Sequence, residues 1–144
     1  MAGSNAATAG GLAERMVAAM LSNDVDQVLA MYADDCQVLD PAMEAQGKSG
    51  LATAVTYFFA AFKMLGMTID ETVITPDTLI IRSHWSALHH GEYLGVPASG
   101  RVFHTWNIMW LKLKDELIIS DNSIWDAGEL RRLEALGKET ENPF

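Results

Sequence analysis

The stretch "HHGEYLGVPASGR", residues 89–101, decides how the second half of the chain folds. It separates two runs rich in β-branched and aromatic residues, 78–90 and 101–113, each long enough for a β-strand. Its glycines and its proline are typical of a turn, because glycine adopts positive φ angles and proline cannot continue a strand ladder. We therefore predict a hairpin between two long antiparallel strands, with apolar side chains at its tip.

Four long strands are predicted in this half of the chain, and one short strand precedes them. Alternation of apolar and polar residues begins at Met67, and turn residues divide it into segments. The long strands cover residues 67–75, 78–90, 101–113 and 117–126. The short strand, "CQVLDP" at residues 36–41, ends at Pro41.

The segments ahead of these long strands are predicted to be mainly helical, because their apolar residues recur every three or four positions. The three helices contain Leu12 to Met20, Val25 to Tyr32, and the stretch 48–65 with its phenylalanines. A short amphipathic helix, "AGELRRLEAL", is predicted at residues 127–136. Residues 1–144 are thus predicted to form a single domain, with a flexible N-terminus at 1–11 and a polar tail at 137–144.

Helices ahead of a long antiparallel sheet indicate an α+β fold in two layers. A strongly bent sheet beneath a helical layer leaves a cone-shaped hollow, which is where a ligand pocket is expected. The formal net charge of −9 argues against a basic surface for nucleic acid or an anionic membrane. The expected ligand is a small, mostly apolar molecule.

Composition and motifs also bear on cofactors and location. The chain has one cysteine, so neither an internal disulfide nor a Cys-based zinc cluster is expected. No histidine pair with metal-ligand spacing and no glycine-rich nucleotide loop occurs, so we expect no metal and no cofactor. A signal-peptide pattern and a long apolar run are missing from the sequence, and we therefore expect a cytoplasmic protein.

Three motifs carry a family resemblance: "MYADDCQVLDP", the hairpin pattern His-Gly-x-Tyr-x-Gly-x-Pro-x-x-Gly, and "DELIISDNSIWDAGELRRLEAL". Together they resemble the SnoaL-like polyketide cyclases of the nuclear transport factor 2-like superfamily, which includes ketosteroid isomerases and limonene epoxide hydrolases. The resemblance implies a cone-shaped fold with three helices packed on a strongly curved, mainly antiparallel sheet. It also implies that the hairpin helps to close the pocket and that two subunits pair through the sheet as a homodimer.

The last strand carries the main candidate for catalysis. Strand alternation places Leu117, Ile119, Asp121, Ser123 and Trp125 on one face. The resemblance places Ser123 where the cyclases and epoxide hydrolases have a catalytic aspartate, and Asp121 lies about 6.6 Å earlier on the same face. Asp121 is therefore expected to serve the hollow, with Ser123 and Trp125 as ligand contacts. The alternative is that Asp121 lies at a dimer contact or at the pocket rim.

Asp40, at the end of the short strand, is the second candidate. By its position just before Pro41 it resembles the general base of ketosteroid isomerases. A carboxylate in an apolar hollow has a raised pKa and can then act as a base near neutral pH. The alternative is a turn residue whose carboxylate caps a local amide. The hydrogen-bond-donating tyrosine of those isomerases falls at Met16, which cannot donate.

The strand at 78–90 supplies a third candidate. Alternation places Arg82 and His84 on one face, where they resemble the Arg-x-Asp pair of epoxide hydrolases with histidine in place of the acid. A proton relay from Asp121 to His84 is therefore expected, because histidine exchanges protons near neutral pH. The alternative is a buried histidine satisfied by a neighbouring hydroxyl. Trp85 and Ala87 are predicted on the opposite face, away from the helices, where a second subunit could cover them.

The predicted function is that of a cofactor-independent acid/base enzyme of this family, a cyclase, isomerase, lyase or hydrolase, acting on a small, mostly apolar cyclic or polyketide-like molecule. Asp121, His84 and Asp40 are the predicted catalytic residues. The predicted ligand contacts are Arg82, Ser123, Trp125, Phe58, Phe62, Tyr93, His104 and Trp106. Two alternatives are a non-catalytic ligand-binding or accessory dimer of the same fold, and an epoxide hydrolase or isomerase-type relative.

Overall fold

The computed structural model describes residues 2–141, with side chains described for residues 11–135. The helices are α1 (Ala2–Ser22), α2 (Val25–Leu29), α3 (Gly47–Ala61) and α4 (Gly128–Glu141). The strands are β1 (Tyr32–Asp40), β2 (Met43–Gln46), β3 (Phe62–Ile74), β4 (Thr78–His89), β5 (Val102–Lys114) and β6 (Leu117–Trp125). No helix among these residues is long and apolar enough to cross a membrane.

All six strands form one mixed sheet in the order β2-β1-β6-β5-β4-β3. Only the β1–β6 pair is parallel, so the sheet is mainly antiparallel, as predicted. Register shifts interrupt β3 twice and the β5–β6 pair once, and such bulges bend and twist a sheet. The helices α1 and α3 pack against one face, which gives the predicted two-layer α+β architecture.

Buried side chains divide into two clusters on the inner face of the sheet. One joins α1, α2 and α3 to Leu79 and Ile81 of β4. The other is mainly aromatic and gathers around Phe62, Phe103 and Trp125, with α4 packed against it. A ligand-sized space lies where the two clusters meet, because residues of both line it.

Two element boundaries differ from the sequence prediction near the helices. The second helix is a single short turn, Val25–Leu29, and Tyr32 begins β1 instead of continuing that helix. The third helix ends at Ala61, and Phe62 begins β3. The reason is tertiary: β4 is 12 residues long, and Phe62 pairs with His89 at its far end, so the chain must become a strand there.

The terminal helices are longer than the sequence predicted, and one edge strand was not predicted. Helix α1 spans Ala2–Ser22, and α4 spans Gly128–Glu141. Alanine in the first segment and glutamate and lysine in the second are good helix formers. The strand β2, which the sequence did not indicate, follows the turn at Pro41 and pairs with the end of β1.

The hairpin between β4 and β5 rests on the end of α3. The backbone N–H groups of His90 and Gly91 both donate to the carbonyl of Ala61, at 2.9 and 3.1 Å. At the tip, Tyr93 and Val96 pair around Leu94 and Gly95, which both have positive φ. This is the geometry of a tight two-residue turn, and it directs Tyr93 toward the space beneath.

Candidate active site

A cavity lies between the helices and the inner face of β4, β5 and β6. It comprises about 780 Å³ of space, part of it open to solvent. The apolar part of its wall consists of Met16, Met20, Val28, Met43, Leu51, Val55, Phe58, Met64, Met67, Trp85, Tyr93, Met109 and Trp125. The polar part consists of Tyr32, Asp40, Asn107, Asp121 and Ser123. An apolar hollow with a few convergent polar groups is the usual form of a small-molecule site.

Asp121 is the most deeply buried carboxyl group in this wall, with 3% of its surface exposed. The hydroxyl of Tyr32 donates to its Oδ2 at 2.6 Å, and the hydroxyl of Ser123 donates to its Oδ1. Burial raises the pKa of Asp121 to about 6, although these two hydrogen bonds act in the opposite direction. Near neutral pH the group can therefore both accept and release a proton.

Neighbouring strands fix the position of Asp121. It pairs with Val38 of β1 on one side and with Leu111 of β5 on the other, so it lies in the middle of the sheet. Ser123 follows two residues later and shares its face, as predicted. The alternation fails earlier in β6, where Ile118 is buried and Leu117 is exposed, because the register shifts beside Leu113.

Asp40 lies in the same cavity wall, at the end of β1. Its Oδ1 accepts the backbone N–H groups of Ala42 at 2.7 Å and Met43 at 2.9 Å, and the Trp125 side chain donates to the Asp40 carboxylate. Burial raises the pKa of Asp40, and these three donors oppose the rise. Asp40 thus caps a turn, as the alternative interpretation predicted, and it also faces the cavity, while its role as a general base stays a prediction. Its negative charge contributes to the raised pKa of Asp121.

The predicted relay between Asp121 and His84 is wrong. From Leu79 onward the buried residues of β4 alternate: Leu79, Ile81, Ser83, Trp85, Ala87 and His89. Since alternate residues face opposite sides, Arg82 and His84 lie on the outer face. There His84 Nδ1 is 2.9 Å from Asp70 Oδ1, and Arg82 pairs with Glu71 at 3.4 Å. The alternative of a buried His84 is also wrong, because 59% of its side chain is exposed.

His104 and Trp106 lie on the outer face too, so their predicted contact with the ligand is wrong. Their partners in the antiparallel register are Ser86 and His84, and directly paired residues share a face. Trp85 lies on the inner face, contrary to prediction, and lines the cavity. The sequence of β4 does not show which of its faces is the inner one, because both faces carry apolar residues.

Three of the predicted aromatic contacts do line the cavity: Phe58, Tyr93 and Trp125. Phe62 is fully buried behind them and packs against Phe58, Trp85 and Tyr93 without lining the space. Its predicted contact with the ligand is therefore replaced by a supporting position in the core.

Tyr32 and Asn107 are cavity residues that the sequence interpretation did not include in the site. Tyr32 was assigned to a helix as an apolar residue, and its phenol meets Asp121 only because β1 and β6 lie side by side. Asn107 accepts a hydrogen bond from the buried hydroxyl of Ser83 on the adjacent strand. Polarity was the only sequence signal for either residue, since each contact joins segments far apart in the chain.

The hairpin forms part of the cavity wall and is tied to α3. Tyr57 of α3 donates to Glu92 Oε2 at 2.7 Å and accepts the backbone N–H of Leu94 at 2.9 Å. Its ring also stacks on Tyr93, with ring centroids 4.7 Å apart. These contacts hold Tyr93 over the cavity. Within the part of the chain that the structure describes, no three His, Cys, Asp or Glu side chains converge as metal ligands would.

Comparisons with known proteins give the family and the fold. The SnoaL-like polyketide cyclase family model matches residues 11–132. Among solved structures, TsrD from Streptomyces laurentii is 26% identical, with 89% of this chain and 95% of TsrD covered and a TM-score of 0.75. A search of curated proteins gave no match.

Two more distant structures show the fold alone. One is a protein with a ketosteroid isomerase-like fold from Catenulispora acidiphila DSM 44928, in complex with trimethylamine, with 16% identity, coverage of 86% and 92%, and a TM-score of 0.70. The other is an LEH-like epoxide hydrolase from M. tuberculosis, with 14% identity, coverage of 96% and 98%, and a TM-score of 0.70. The predicted cone-shaped nuclear transport factor 2-like fold is confirmed.

Proposed function

Since the chain belongs to the SnoaL-like polyketide cyclase family, we propose that it is a cofactor-independent acid/base enzyme acting on a small, mostly apolar cyclic or polyketide-like molecule. The observation that carries this proposal is the pair of carboxyl groups in one apolar cavity. Asp121 is buried and has a pKa of about 6, and Asp40 is held by three hydrogen-bond donors. In such a pair the acid whose pKa lies near neutral pH, Asp121, is suited to proton transfer, and the second acid can take a different role.

The reaction that fits this pair is proton abstraction from a carbon next to a carbonyl group. The Asp121 carboxylate takes the C–H proton, and the electrons of that bond form an enolate. In a cyclisation the enolate carbon attacks a second carbonyl of the same molecule, and protonated Asp121 gives its proton to the alkoxide that forms. In an isomerisation protonated Asp121 gives that proton to another carbon of an extended enolate. Either route restores the Asp121 carboxylate. The aromatic and methionine side chains hold the apolar rings and exclude water.

An epoxide hydrolase of the Arg-x-Asp kind is disfavoured by the geometry. The residues at those two positions, Arg82 and His84, are on the outer face of the sheet. They therefore cannot reach an epoxide held beside Asp121.

We further propose that the protein is a cytoplasmic homodimer that pairs through the outer face of the sheet. Trp85 no longer supports this, but other apolar residues do. They are Leu39, Val102, Trp106, Trp110 and Ile124, which are between 42% and 59% exposed. Strand pairing places them on one face, because directly paired residues share a face. Leu39 of β1 and Trp110 of β5 both pair with Asn122 of β6. An exposed apolar face of this kind marks an interaction surface.

Proton exchange on a carbon acid tests the enzymatic proposal without knowledge of the natural substrate. The probe is β-tetralone in D₂O, whose benzylic protons next to the ketone are followed by proton NMR. We expect the protein to accelerate their exchange over buffer. Asp121→Asn should lower the protein-catalysed rate by about 10²- to 10⁴-fold, because the amide cannot accept the proton.

Two controls define the result. Ser123→Ala removes one hydroxyl that donates to Asp121, and it should lower the exchange rate less than Asp121→Asn does. Asp70→Asn alters an acid on the outer face and should leave exchange unchanged. Exchange no faster than in buffer, or equally fast in Asp121→Asn, would contradict the proposal and favour a ligand-binding role.

A further inference from the structure

Four aromatic rings from four parts of the fold lie together in the cavity wall: Phe58 of α3, Trp85 of β4, Tyr93 of the hairpin and Trp125 of β6. The ring centroids of Phe58 lie 5.7 Å from Trp85 and 5.8 Å from Tyr93. Those of Trp125 lie 6.1 Å from Trp85 and 6.4 Å from Tyr93. We call these four residues the aromatic wall. Aromatic faces carry partial negative charge and attract an ammonium group within about 6 Å.

Asp40 adjoins this aromatic wall directly, because the Trp125 side chain donates a hydrogen bond to its carboxylate. The backbone N–H groups of Ala42 and Met43 donate to the same carboxylate. Hydrogen bonds of this kind favour the charged form of an acid. Burial raises the pKa of Asp40, and these donors oppose the rise. A carboxyl group that can carry a negative charge is thus held at the edge of the aromatic wall, and it borders the cavity.

No positive side chain offsets this charge within the cavity. The described residues that line it include Asp40 and Asp121 but no lysine, arginine or histidine. An anionic ligand would lose its hydration there without gaining a counter-charge, which costs free energy. A cationic ligand would instead gain both the carboxylate and the ring faces. The remaining wall is largely methionine, whose polarisable thioether adapts to irregular apolar shapes.

We propose that the ligand of this cavity is a hydrophobic amine, protonated or quaternary, whose ammonium group sits between the aromatic wall and Asp40. Its apolar rings extend along the methionines toward Asp121. The inference deepens the proposed function, and it rests on that function only in taking the same cavity as the substrate site. Asp40 then serves to hold the substrate, and Asp121 is left to transfer the proton.

A matched pair of probes tests the charge preference. Benzyltrimethylammonium and neopentylbenzene have nearly the same shape and differ in charge. Binding is followed through the indole N–H signals of Trp85 and Trp125 by NMR at neutral pH. We expect the cation to bind at least about tenfold more tightly than the neutral probe, because a desolvated cation–π contact contributes enough binding free energy for a difference of that size.

Variants locate the effect within the cavity. Asp40→Asn keeps an oxygen that accepts from Ala42 and Met43 but removes the charge. It should therefore weaken binding of the cation and leave binding of the neutral probe unchanged. Trp85→Leu removes one aromatic ring and should also weaken binding of the cation more than binding of the neutral probe. Asp70→Asn, an acid on the outer face, is the matched control and should change neither affinity.

Two results would overturn the inference: equal or tighter binding of neopentylbenzene, or no shift of the Trp125 signal by the cation at millimolar concentration. Either result would leave the proposed function standing if β-tetralone exchange still depends on Asp121. Conversely, selective cation binding without any exchange activity would support the amine site and remove the enzymatic proposal.

Discussion

The hydroxyl of Tyr32 donates a 2.6 Å hydrogen bond to Asp121 Oδ2, and the two residues are 89 positions apart. Both are buried, with 3% of each residue's surface exposed. Burial and the negative charge of Asp121 raise the pKa of Tyr32 well above its ordinary value, so the phenol keeps its proton and remains a donor. The pair therefore sets how readily Asp121 ionises in the cavity.

Tyr32→Phe is expected to raise the pKa of Asp121 above about 6, because it removes a donor that favours the carboxylate. It should also destabilise the protein by about 1–3 kcal/mol, since a buried acceptor loses its partner. Carbon-13 NMR of labelled aspartate carboxyl groups measures the titration. Tyr57→Phe removes a phenol that donates to the exposed Glu92, and it should leave the Asp121 titration unchanged.

Asp121→Asn is expected to change how stability depends on pH. The folded pKa of about 6 exceeds the ordinary value of 3.8, so the folded state binds the proton more tightly. The resulting stabilisation is fully present below 3.8 and is lost as the pH rises through about 6. The loss amounts to about 3 kcal/mol for a shift of about two units.

Urea unfolding below and above this window provides the measurement. The difference in unfolding free energy, variant minus parent, should increase by about 3 kcal/mol as the pH rises, because the amide does not ionise. Asp34→Asn, whose side chain is 99% exposed, should show no such trend. A difference that stays constant across the window would mean that Asp121 is not desolvated.

Gly91→Ala is expected to release the hairpin from α3. A methyl group at this position would lie 2.3 Å from the carbonyl oxygen of Ala60, which is backbone and cannot move aside. The substitution should destabilise the protein by about 2–4 kcal/mol, as overpacking in a tight contact does. Thermal or urea unfolding measures the loss. Gly11→Ala is the control, since a methyl group there meets nothing within 4 Å, and it should not destabilise the protein.

Self-association through the outer face of the sheet is expected at micromolar concentration. A standard interface would bury about 1,600 Å² in total. Replacing Trp106 and Trp110 together by lysine should convert dimer to monomer, because two charges would be buried against the same surface of the partner. Sedimentation velocity distinguishes the two states. Only monomer in the parent protein, or an unchanged dimer in the variant, would contradict this arrangement.

The sequence by itself determined the class of fold and much of the aromatic lining of the cavity. Turn residues mark the hairpin at 89–101, and period-two alternation marks the strands around it, because turn geometry and strand pleat are local properties of the backbone. The three motifs at residues 31–41, 90–100 and 115–136 indicated the family, and the strand period placed Asp121 and Ser123 together on the cavity side.

The tertiary structure alone decided which groups meet. The face that β4 presents to the helices is set by packing, and this placed Trp85 inside and His84 outside. The contact between Tyr32 and Asp121 depends on the parallel pairing of β1 with β6, which no local pattern encodes. Long-range strand pairing and helix packing select one of two faces that are similarly apolar in the sequence. The chemistry of the cavity therefore follows from contacts between segments far apart in the chain.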